Sequence, residues 1–518
     1  MQRNIFGFLL ALFLAVPAFC QPAALGDLDD YIQRAMTTFD VPGVAVAVVK
    51  DGQVVFAKGY GVRKLGENPR VDAHTLFGIG SNTKAFTTTS LGILVDEGKL
   101  TWDDRVVDRL PGFQMYDPYV THEMTIRDLL THRSGLGLGA GDLLFFPPSS
   151  YTRDDIIAKL RYIKPESSFR SKYAYDNLLY MVAGQMIPAV TGKQWQDFIK
   201  ERIFATVGMT DSTTSVADFH PGGNFATPHS EVEGKLQPIP ATLIDNVAPA
   251  GAINSSVSDM AKWMIVQLAG GQLPGGDRRL FSEKVGKEMW SAQTIHPVSE
   301  PPPALAALRT NFAAYGLGWG LREYRGHKSV SHTGGLPGYV SQVSLIPDAK
   351  LGVVLLTNQE ATGILASIVD RILDAYLAEQ QTDWTKVFHD LTGQQRTQAA
   401  SIEKKHSGER NTASKPSLPI EKYAGKYADA WYGDISISME RSGLVMRFSH
   451  SPALTGDLEH WQYDTFVARW RDRSLAADAF VTFALNPDGS INQVKMVPVS
   501  PLTDFSYDFQ DLLIQPKK

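Results

Sequence analysis

The sequence predicts an α+β domain followed by a small all-β domain. Two pairs of β-rich runs lie at opposite ends of a mainly helical region, and several shorter β-rich runs follow a polar stretch. Strands at both ends of a helical region can join one antiparallel sheet that is flanked by helices. We therefore expect an α+β domain over residues 21–380, a linker over 381–417 and a β domain over 418–518.

Periodicity and turn residues predict the elements of the first domain. Asp51-Gly52 separates two β-rich runs and is a favoured two-residue hairpin turn. The predicted order is a helix over 25–39, strands over 44–49 and 54–57, helices over 126–130, 178–187, 195–204 and 258–268, strands over 341–346 and 352–357, and a helix over 364–378. If the two strand pairs share a sheet, residues near 81 lie close to residues beyond 320.

The rest of the chain changes in character. Residues 381–417 lose the apolar periodicity and are rich in Gln, Lys, Ser and Thr, which indicates a linker. Short β-rich runs separated by turns follow, and they predict strands over 435–439, 444–448, 466–470, 480–485 and 493–497. This spacing is typical of a small barrel or sandwich.

Composition excludes some classes of partner. The chain has 518 residues, a formal net charge of -5 and no long basic run, so nucleic acid is not an expected partner. No segment beyond the N-terminus is long and apolar enough for a stable membrane span. The sequence leaves open whether the chain forms a homo-oligomer.

The first residues have the pattern of a signal peptide. Met1-Gln2-Arg3 gives a basic start, residues 6–16 form a short apolar segment, and Ala18-Phe19-Cys20 has small residues where signal peptidase reads. We expect residues 1–20 to be removed and the protein to be periplasmic or secreted. Lipidation of Cys20 is the alternative. Cleavage after Cys20, which is the only cysteine, leaves a chain without disulfides.

Ser81 and Lys84 are the first candidate catalytic residues. Positions i and i+3 lie on one helix face, so a helix that begins at Ser81 would let the Lys84 amine accept the serine proton. The mainly apolar run that follows predicts a buried helix ending near Gly98. The same spacing recurs at Ser401 and Lys404 in the polar stretch, where we interpret it as part of a solvated linker.

Tyr175 and Asn177 form the second candidate element, just before the helix predicted to begin at residue 178. A phenol near a serine hydroxyl can relay a proton, and an amide can hold both a lysine and a substrate carbonyl. The alternative is structural, namely an aromatic turn in which Asp176 or Asn177 caps the helix.

The third candidate element is His332-Thr333-Gly334-Gly335, which precedes the strand predicted to begin near residue 340. Glycines at a strand edge admit a close substrate, and the Gly335 N–H can join the Ser81 N–H in an oxyanion hole. His332 can bind or polarise the substrate. The alternatives are a surface histidine and an ordinary loop.

Together these motifs mark a resemblance. In order along the chain, they resemble the three motifs of the serine β-lactamase and penicillin-binding-protein superfamily, and the chain is most similar to its class C β-lactamase-like branch. That branch also includes D-aminopeptidases, DD-peptidases and esterases. The resemblance covers roughly residues 25–380, while residues 418–515 look like the lipocalin-like barrel often appended to this branch, best in the run from Trp461 to Phe466.

The resemblance implies the mechanism of a serine hydrolase. Ser81 would form an acyl-enzyme, Lys84 and Tyr175 would manage its proton, and either could be the base for acylation. Asn177 would position the substrate and Lys84, and the substrate would be a small molecule or a short peptide. The route needs no cofactor and no metal. A lysine base also requires a pKa well below ~10.4, which burial beside Tyr175 could produce.

One position departs from the family pattern. β-Lactamases and DD-peptidases generally carry Lys-Thr-Gly where this chain has His332-Thr333-Gly334, and a histidine with a pKa near ~6.5 is mostly neutral at pH 7. Substrates that need a carboxylate partner become less favoured. We therefore rank peptidase or amidase activity slightly above esterase activity, and both above β-lactamase or DD-carboxypeptidase activity.

Two other hypotheses remain at this stage. The chain could be a catalytically idle scaffold that binds a ligand or partner, although it retains Ser81, Lys84 and Tyr175. Ser134 could be the nucleophile of an unrelated hydrolase, although it lacks the Gly-x-Ser-x-Gly surroundings of a nucleophile elbow. The sequence does not decide whether the β domain shapes the cleft, mediates oligomerisation or adds stability.

Overall fold

The structure, a computed structural model, describes residues 25–377, 380–441 and 443–517. The predicted signal peptide, residues 1–20, lies outside the described residues.

Helices are the main regular structure between the two ends of the first domain. The α-helices are α1 (Leu28–Thr38), α2 (Thr83–Asp96), α3 (Val106–Arg109), α4 (Pro118–Glu123), α5 (Ile126–Leu129), α6 (Arg153–Lys159), α7 (Leu178–Thr191), α8 (Trp195–Phe198), α9 (Ala205–Val207), α10 (Ala248–Gly251), α11 (Val257–Leu268), α12 (Glu283–Met289), α13 (Thr362–Leu377) and α14 (Trp384–Gly408).

Strands fall into two groups along the chain. The first group is β1 (Gly43–Lys50), β2 (Gln53–Gly61), β3 (Phe77–Gly78), β4 (His229–Val232), β5 (Lys235–Pro238), β6 (Asn254–Ser255), β7 (Thr294–Ile295), β8 (Ala313–Tyr315), β9 (Gly320–Tyr324), β10 (His327–Leu336), β11 (Tyr339–Ile346) and β12 (Leu351–Thr357). The second group is β13 (Gly425–Asp429), β14 (Gly433–Glu440), β15 (Gly443–Phe448), β16 (Thr455–Gln462), β17 (Thr465–Trp470), β18 (Ala479–Leu485), β19 (Ile491–Pro498) and β20 (Gln515–Pro516).

One antiparallel sheet joins the two ends of the first domain, as the sequence predicts. Its strand order is β2-β1-β12-β11-β10-β9-β8-β7, so β1 pairs with β12 although some 300 residues separate them in the chain. This pairing places β12 beside the N-terminal hairpin, with β11 and then β10 on its other side. The predicted α+β architecture is therefore confirmed.

Both faces of this sheet are buried. Along β1, Ala45, Ala47 and Val49 join the core that includes α2 and α11, while Val44, Val46 and Val48 join the core formed with α1 and α13. A strand that is covered on both faces must be apolar at every position. That requirement explains why residues 44–49 read as a continuous apolar run and not as an alternating one.

The sequence analysis did not predict several of the strands. β7, β8 and β9 have two, three and five residues, which is too short for a clear period-2 pattern. β16 has the sequence TGDLEHWQ, which contains few strand-forming residues. The His332-Thr333-Gly334 run also belongs to a ten-residue strand, β10, because pairing with β11 holds its glycines extended.

The stretch predicted as a linker contains a 25-residue helix, α14. Its first turn is anchored by Trp384, which is fully buried and donates from Nε1 to Asp374 Oδ2 at 2.9 Å. Beyond that anchor almost all its residues are exposed or half-buried. A polar helix without an apolar stripe gives no periodic signal, so its sequence reads as unstructured. Ser401 and Lys404 lie exposed on this helix, in agreement with the solvated interpretation.

The second domain is a nearly closed barrel of eight antiparallel strands. Seven strands follow one another in a meander from β13 to β19, and β20 pairs with β13. A backbone bridge between Ile514, just before β20, and Val494 of β19 brings the two ends of the sheet together. This up-and-down order confirms the expected lipocalin-like barrel.

The barrel packs directly against the α+β domain. The Tyr151 hydroxyl donates to the Tyr432 carbonyl, and the Tyr151 ring stacks on His450 with centroids 3.9 Å apart. Farther along the same face, the Phe146 and Tyr507 rings lie 5.1 Å apart. The two domains therefore share an aromatic interface.

The described residues contain neither a candidate membrane helix nor a candidate metal cluster. Among them, no helix combines the length and apolar character needed to cross a membrane. These residues also include no group of three or more His, Cys, Asp or Glu side chains that is placed to hold a metal ion.

Gly334 and Gly335 offer a test of how closely β10 packs. A Cβ on Gly334 would lie 1.9 Å from the Ile79 carbonyl oxygen, whereas a Cβ on Gly335 would meet no heavy atom within 4 Å. Overpacking against backbone cannot relax by rotamer change, so Gly334→Ala should lower the free energy of unfolding by about 2 kcal/mol. Gly335→Ala should change it by less than about 0.5 kcal/mol. Thermal unfolding of both variants measures this, and equal melting temperatures would contradict it.

Candidate active site

Ser81 and Lys84 meet at the start of α2. Ser81 lies in a 3-10 turn, Gly80–Asn82, that continues directly into the helix, and Lys84 lies in the first helical turn. The Lys84 Nζ donates to Ser81 Oγ at 3.0 Å. The serine is half-buried and the lysine is fully buried, so of the two side chains only that of Ser81 is partly open to solvent.

The Lys84 amine is held by three oxygens from separate elements. Besides Ser81, it donates to Asn177 Oδ1 at 2.7 Å and to the Ala250 carbonyl at 3.0 Å. Burial lowers the pKa of Lys84 from 10.5 to about 7, although the nearby carboxyl groups of Asp142 and Asp176 act in the opposite direction. Near neutral pH a substantial fraction of this amine is therefore uncharged and able to accept a proton.

Tyr175 lies on the other side of the amine. The Lys84 Nζ is 4.7 Å from the centre of the Tyr175 ring. Burial raises the pKa of the Tyr175 phenol well above its usual value of 10, and the adjacent Ser81 hydroxyl offsets this only in part. The buried phenol oxygen has no partner with good hydrogen-bonding geometry among the described residues. Tyr175 thus stays protonated, which suits proton relay better than proton abstraction.

The Tyr175–Asn177 segment both caps α7 and contributes side chains to the site. Asp176 Oδ1 accepts a hydrogen bond from the Leu179 backbone N–H at 2.9 Å, so Asp176 caps α7. The Asn177 side chain makes no capping bond and instead joins Lys84 to Asp142, to which its Nδ2 donates at 2.8 Å. The structural and functional interpretations of this motif are therefore compatible, because different residues serve them.

His332 is occupied within the protein. Its Nδ1 donates to the Thr333 carbonyl at 2.6 Å, and its Nε2 lies 2.8 Å from the Tyr315 hydroxyl. A carbonyl only accepts, so Nδ1 carries the proton and Tyr315 donates to Nε2. Burial and, second, the Lys84 charge lower the pKa of His332 to about 4. The imidazole is neutral at pH 7, and neither nitrogen is free to bind a substrate.

The backbone of β10 borders the Ser81 turn. β9 pairs with β10 only as far as Ser331, so that edge of β10 is open from His332 to Leu336 within the described sheet. Gly80, with φ +51°, packs against the same segment, and a Cβ there would lie 2.8 Å from the Gly335 nitrogen. Thr333 and Gly335 are exposed at this edge. The turn that carries Ser81 and the Gly335 N–H are therefore immediate neighbours.

Asp142 is a member of the site that the sequence analysis missed. It is fully buried, and its Oδ2 accepts from both Asn177 Nδ2 and the Ser506 hydroxyl, at 2.8 and 2.9 Å. Burial raises its pKa well above 3.8, although Asn177 and Ser506 act in the opposite direction. No motif marks Asp142, and its partner Ser506 lies 364 positions away, so only the fold identifies it.

Ser134, the alternative nucleophile, lies in a different setting. It is buried, its hydroxyl accepts from the Leu136 N–H at 3.2 Å, and it lies 3.5 Å from Asp176 Oδ2. These contacts are those of a turn that fixes the loop after α5. They place no amine beside the Ser134 hydroxyl.

Comparison with known families agrees with this arrangement. A family model described as Beta-lactamase matches residues 28–377, which span the α+β domain. This chain belongs to the beta-lactamase family. A second model, described as a domain of unknown function (DUF3471), matches residues 409–516, which include the barrel. The resemblance that the motifs indicate is confirmed.

Individual relatives show how far the similarity extends. The chain is 30% identical to unguisins hydrolase ungD' of Aspergillus campestris, across 90% of this chain and 88% of the relative. It is 28% identical to penicillin-binding protein 4 of Amycolatopsis lactamdurans, across 62% of this chain and 82% of that protein. The protein is accordingly a hydrolase of the β-lactamase and penicillin-binding-protein superfamily.

A solved structure matches both domains in one chain. The octameric penicillin-binding protein homologue from Pyrococcus abyssi superposes with a TM-score of 0.59 at 21% identity, and the match covers 95% of this chain and 99% of that one. At this identity the likeness concerns the fold. It supports the α+β domain followed by a barrel as a single architecture.

Lys84→Met should show the cost of burying the amine. The folded pKa of Lys84 lies below its unfolded value, so the unfolded state binds more protons between pH 7 and 10.5 and wild-type stability rises with pH across that window. The penalty below pH 7 is on the order of 5 kcal/mol, from a shift of the pKa from 10.5 to about 7. Methionine removes it, so the variant's melting temperature relative to wild type should be higher at pH 6 than at pH 9.5.

The pH dependence is the decisive quantity in this comparison. Lys84→Met also leaves Asn177 Oδ1 and the Ala250 carbonyl without their donor, and that loss is the same at every pH. Lys404→Met is the matched control, because Lys404 is exposed on α14 and remains solvated. A difference between Lys84→Met and wild type that stays constant from pH 6 to 9.5 would contradict a desolvated amine.

Proposed function

We propose that this protein is a serine hydrolase that cleaves an amide, peptide or ester bond through an acyl-enzyme on Ser81. The supporting observation is the contact of 3.0 Å between Ser81 Oγ and the buried amine of Lys84, whose pKa burial lowers to about 7. A base poised near the working pH, within hydrogen-bonding distance of a half-exposed hydroxyl, is the requirement for activating a serine.

Acylation begins with attack of Ser81 Oγ on the substrate carbonyl carbon. The hydroxyl proton passes to the neutral Lys84 Nζ as the new C–O bond forms. The carbonyl electrons move onto oxygen, and the N–H groups of Ser81 and Gly335 stabilise that oxyanion. Asn177 holds the amine toward Ser81 throughout, because its own Nδ2 is fixed on Asp142.

Collapse of the tetrahedral intermediate releases the leaving group. The Tyr175 phenol donates its proton to the departing nitrogen or oxygen and regains one from the Lys84 ammonium. Its raised pKa suits this relay, because the phenol returns to its neutral form after each transfer. Water then attacks the acyl ester and gives a proton to Lys84, and Ser81 recovers that proton as the carboxylic acid product departs.

The His332 environment supports uncharged substrates. An imidazole with a pKa of about 4, bonded through both nitrogens, provides no cation at the β10 edge. A β-lactam or a peptide C-terminus would bring a carboxylate to that edge without a charged partner. The name of the Aspergillus campestris relative, unguisins hydrolase, supports hydrolysis over an idle scaffold.

Ser81→Ala tests the nucleophile directly. A fluorophosphonate probe should label wild type on Ser81, as intact and peptide mass spectrometry would show. Ser81→Ala should lose the label and at least about 10³-fold of kcat/KM, since no other group can carry the acyl intermediate. Ser401→Ala is the matched control, because Ser401 repeats the Ser-x-x-Lys spacing on an exposed helix. Labelling of Ser134 in active Ser81→Ala would refute the assignment.

Matched substrates test the charge preference. A panel of p-nitrophenyl esters, D-aminoacyl amides and short peptides should be assayed with free and amidated C-termini, beside a chromogenic cephalosporin. Neutral members should be hydrolysed with a kcat/KM at least about tenfold above that of their carboxylate partners, as expected for one missing charge contact. The proposal on substrate class fails if the carboxylate-bearing members are the better substrates.

A further inference from the structure

A segment of the barrel reaches behind the candidate active site. Residues 504–508 follow β19 and approach the loop before α6, where Asp142 lies. Phe505 packs edge-on against Tyr175 with ring centroids 6.1 Å apart. The Phe505 ring and carbonyl also lie against Gly139, where a Cβ would approach them to 2.7 and 2.9 Å. The contact therefore joins the barrel to the site itself.

Asp508 fixes this segment on both sides of Asp142. Its Oδ2 accepts from the Gly141 backbone N–H at 2.6 Å and its Oδ1 from the Leu143 N–H at 3.2 Å. Asp508 is fully buried. Two backbone donors that flank one residue orient the loop around it, so the position of Asp142 depends on the barrel.

An unbroken hydrogen-bond chain runs from the barrel to the Ser81 hydroxyl. Its contacts are Ser506 Oγ to Asp142 Oδ2 at 2.9 Å, Asn177 Nδ2 to the same oxygen at 2.8 Å, Lys84 Nζ to Asn177 Oδ1 at 2.7 Å and Lys84 Nζ to Ser81 Oγ at 3.0 Å. Ser506, Asp142, Asn177 and Lys84 are all less than a tenth exposed. Buried chains of this kind hold each member in one orientation.

We propose that Ser506 is a positioning residue of the hydrolase, which acts through Asp142 and Asn177 on the Lys84–Ser81 pair. This inference rests on the proposed function of that pair. It makes the barrel part of the catalytic machinery. The α+β domain supplies the nucleophile and the base, and the barrel supplies the hydroxyl that orients Asp142 and, through it, Asn177.

The geometry explains why one hydroxyl matters. The Asn177 amide must turn its oxygen to Lys84 and its nitrogen to Asp142, since a flipped amide would face the ammonium with a donor. Asp142 Oδ1 has no partner among the described residues, so Oδ2 carries the contacts that orient the carboxyl group. Without Ser506, only Asn177 itself restrains that group. The Asp142 carboxyl group and the Asn177 amide can then turn together, and the Lys84 amine is no longer held in one direction toward Ser81.

The test compares acylation and binding in the full-length protein. For the fluorophosphonate probe, Ser506→Ala should lower the maximal acylation rate about tenfold while the apparent binding constant changes less than about twofold, because misplacement affects the reacting pair and not the cleft. Ser506→Thr keeps the hydroxyl and should restore most of the rate. Ser490→Ala is the matched control, since that exposed hydroxyl bonds Asp488 at 2.6 Å in the turn between β18 and β19.

A double-mutant cycle separates positioning from general destabilisation. Asp142→Leu has a similar shape but no oxygen, so it removes the acceptor of both Ser506 and Asn177. In the Asp142→Leu background, Ser506→Ala should have less than about a twofold further effect, because the path it acts through is already broken. Independent, multiplicative effects of the two changes would overturn the proposal, whatever their effects on melting temperature.

The outcomes also distinguish this inference from the function on which it rests. If Ser81→Ala keeps wild-type turnover, the proposed function fails first. If Ser81→Ala is inactive while Ser506→Ala acylates at the wild-type rate, or Ser506→Thr is as slow as Ser506→Ala, only the role of Ser506 is refuted.

Discussion

A primary amine with no exposed surface imposes the strictest requirement in this molecule. Burial disfavours the charged form of Lys84, and each of the three hydrogen bonds that its amine donates needs an oxygen already in place to accept it. Those oxygens belong to the turn before α2, the start of α7 and the α10 turn. The relative placement of these elements is therefore fixed by one side chain.

The central sheet makes that placement possible. Pairing of β1 with β12 closes the domain, and the neighbouring β10 then passes beside the Gly80–Asn82 turn. The close approach depends on glycine at 80 and 334, because a Cβ at either position would collide with backbone atoms. On the far side, His132 and the rings of Tyr175, Tyr180 and Tyr315 pack together and keep water from the amine. Burial of Lys84 and access to Ser81 thus come from different sides of the site.

The barrel contributes polar as well as apolar contacts to this arrangement. The stacked rings of Tyr151 and His450 lie at the interface between the domains, and they are not members of the hydrogen-bond chain that ends at Ser81. The buried carboxyl group of Asp508 and the hydroxyl of Ser506 are costly groups to place in an interface, and they are retained where they restrain the Asp142 loop. The aromatic contact between the domains and the polar contacts that restrain the Asp142 loop therefore involve different residues of the barrel.

The sequence by itself determined the elements and contacts that are local. The Ser81–Lys84 contact follows from a spacing of three residues across one helical turn, and the strands β1, β11 and β12 follow from apolar runs. Tertiary structure decided the properties that depend on distant neighbours. The lowered pKa of Lys84 needs burial by several elements, and the neutral state of His332 needs burial and, second, the charge of Lys84. The roles of Asp142 and Ser506 need a contact between domains. The sequence of α14 also resembles a linker, because the hydrogen bond from Trp384 to Asp374 that anchors this helix is a tertiary contact.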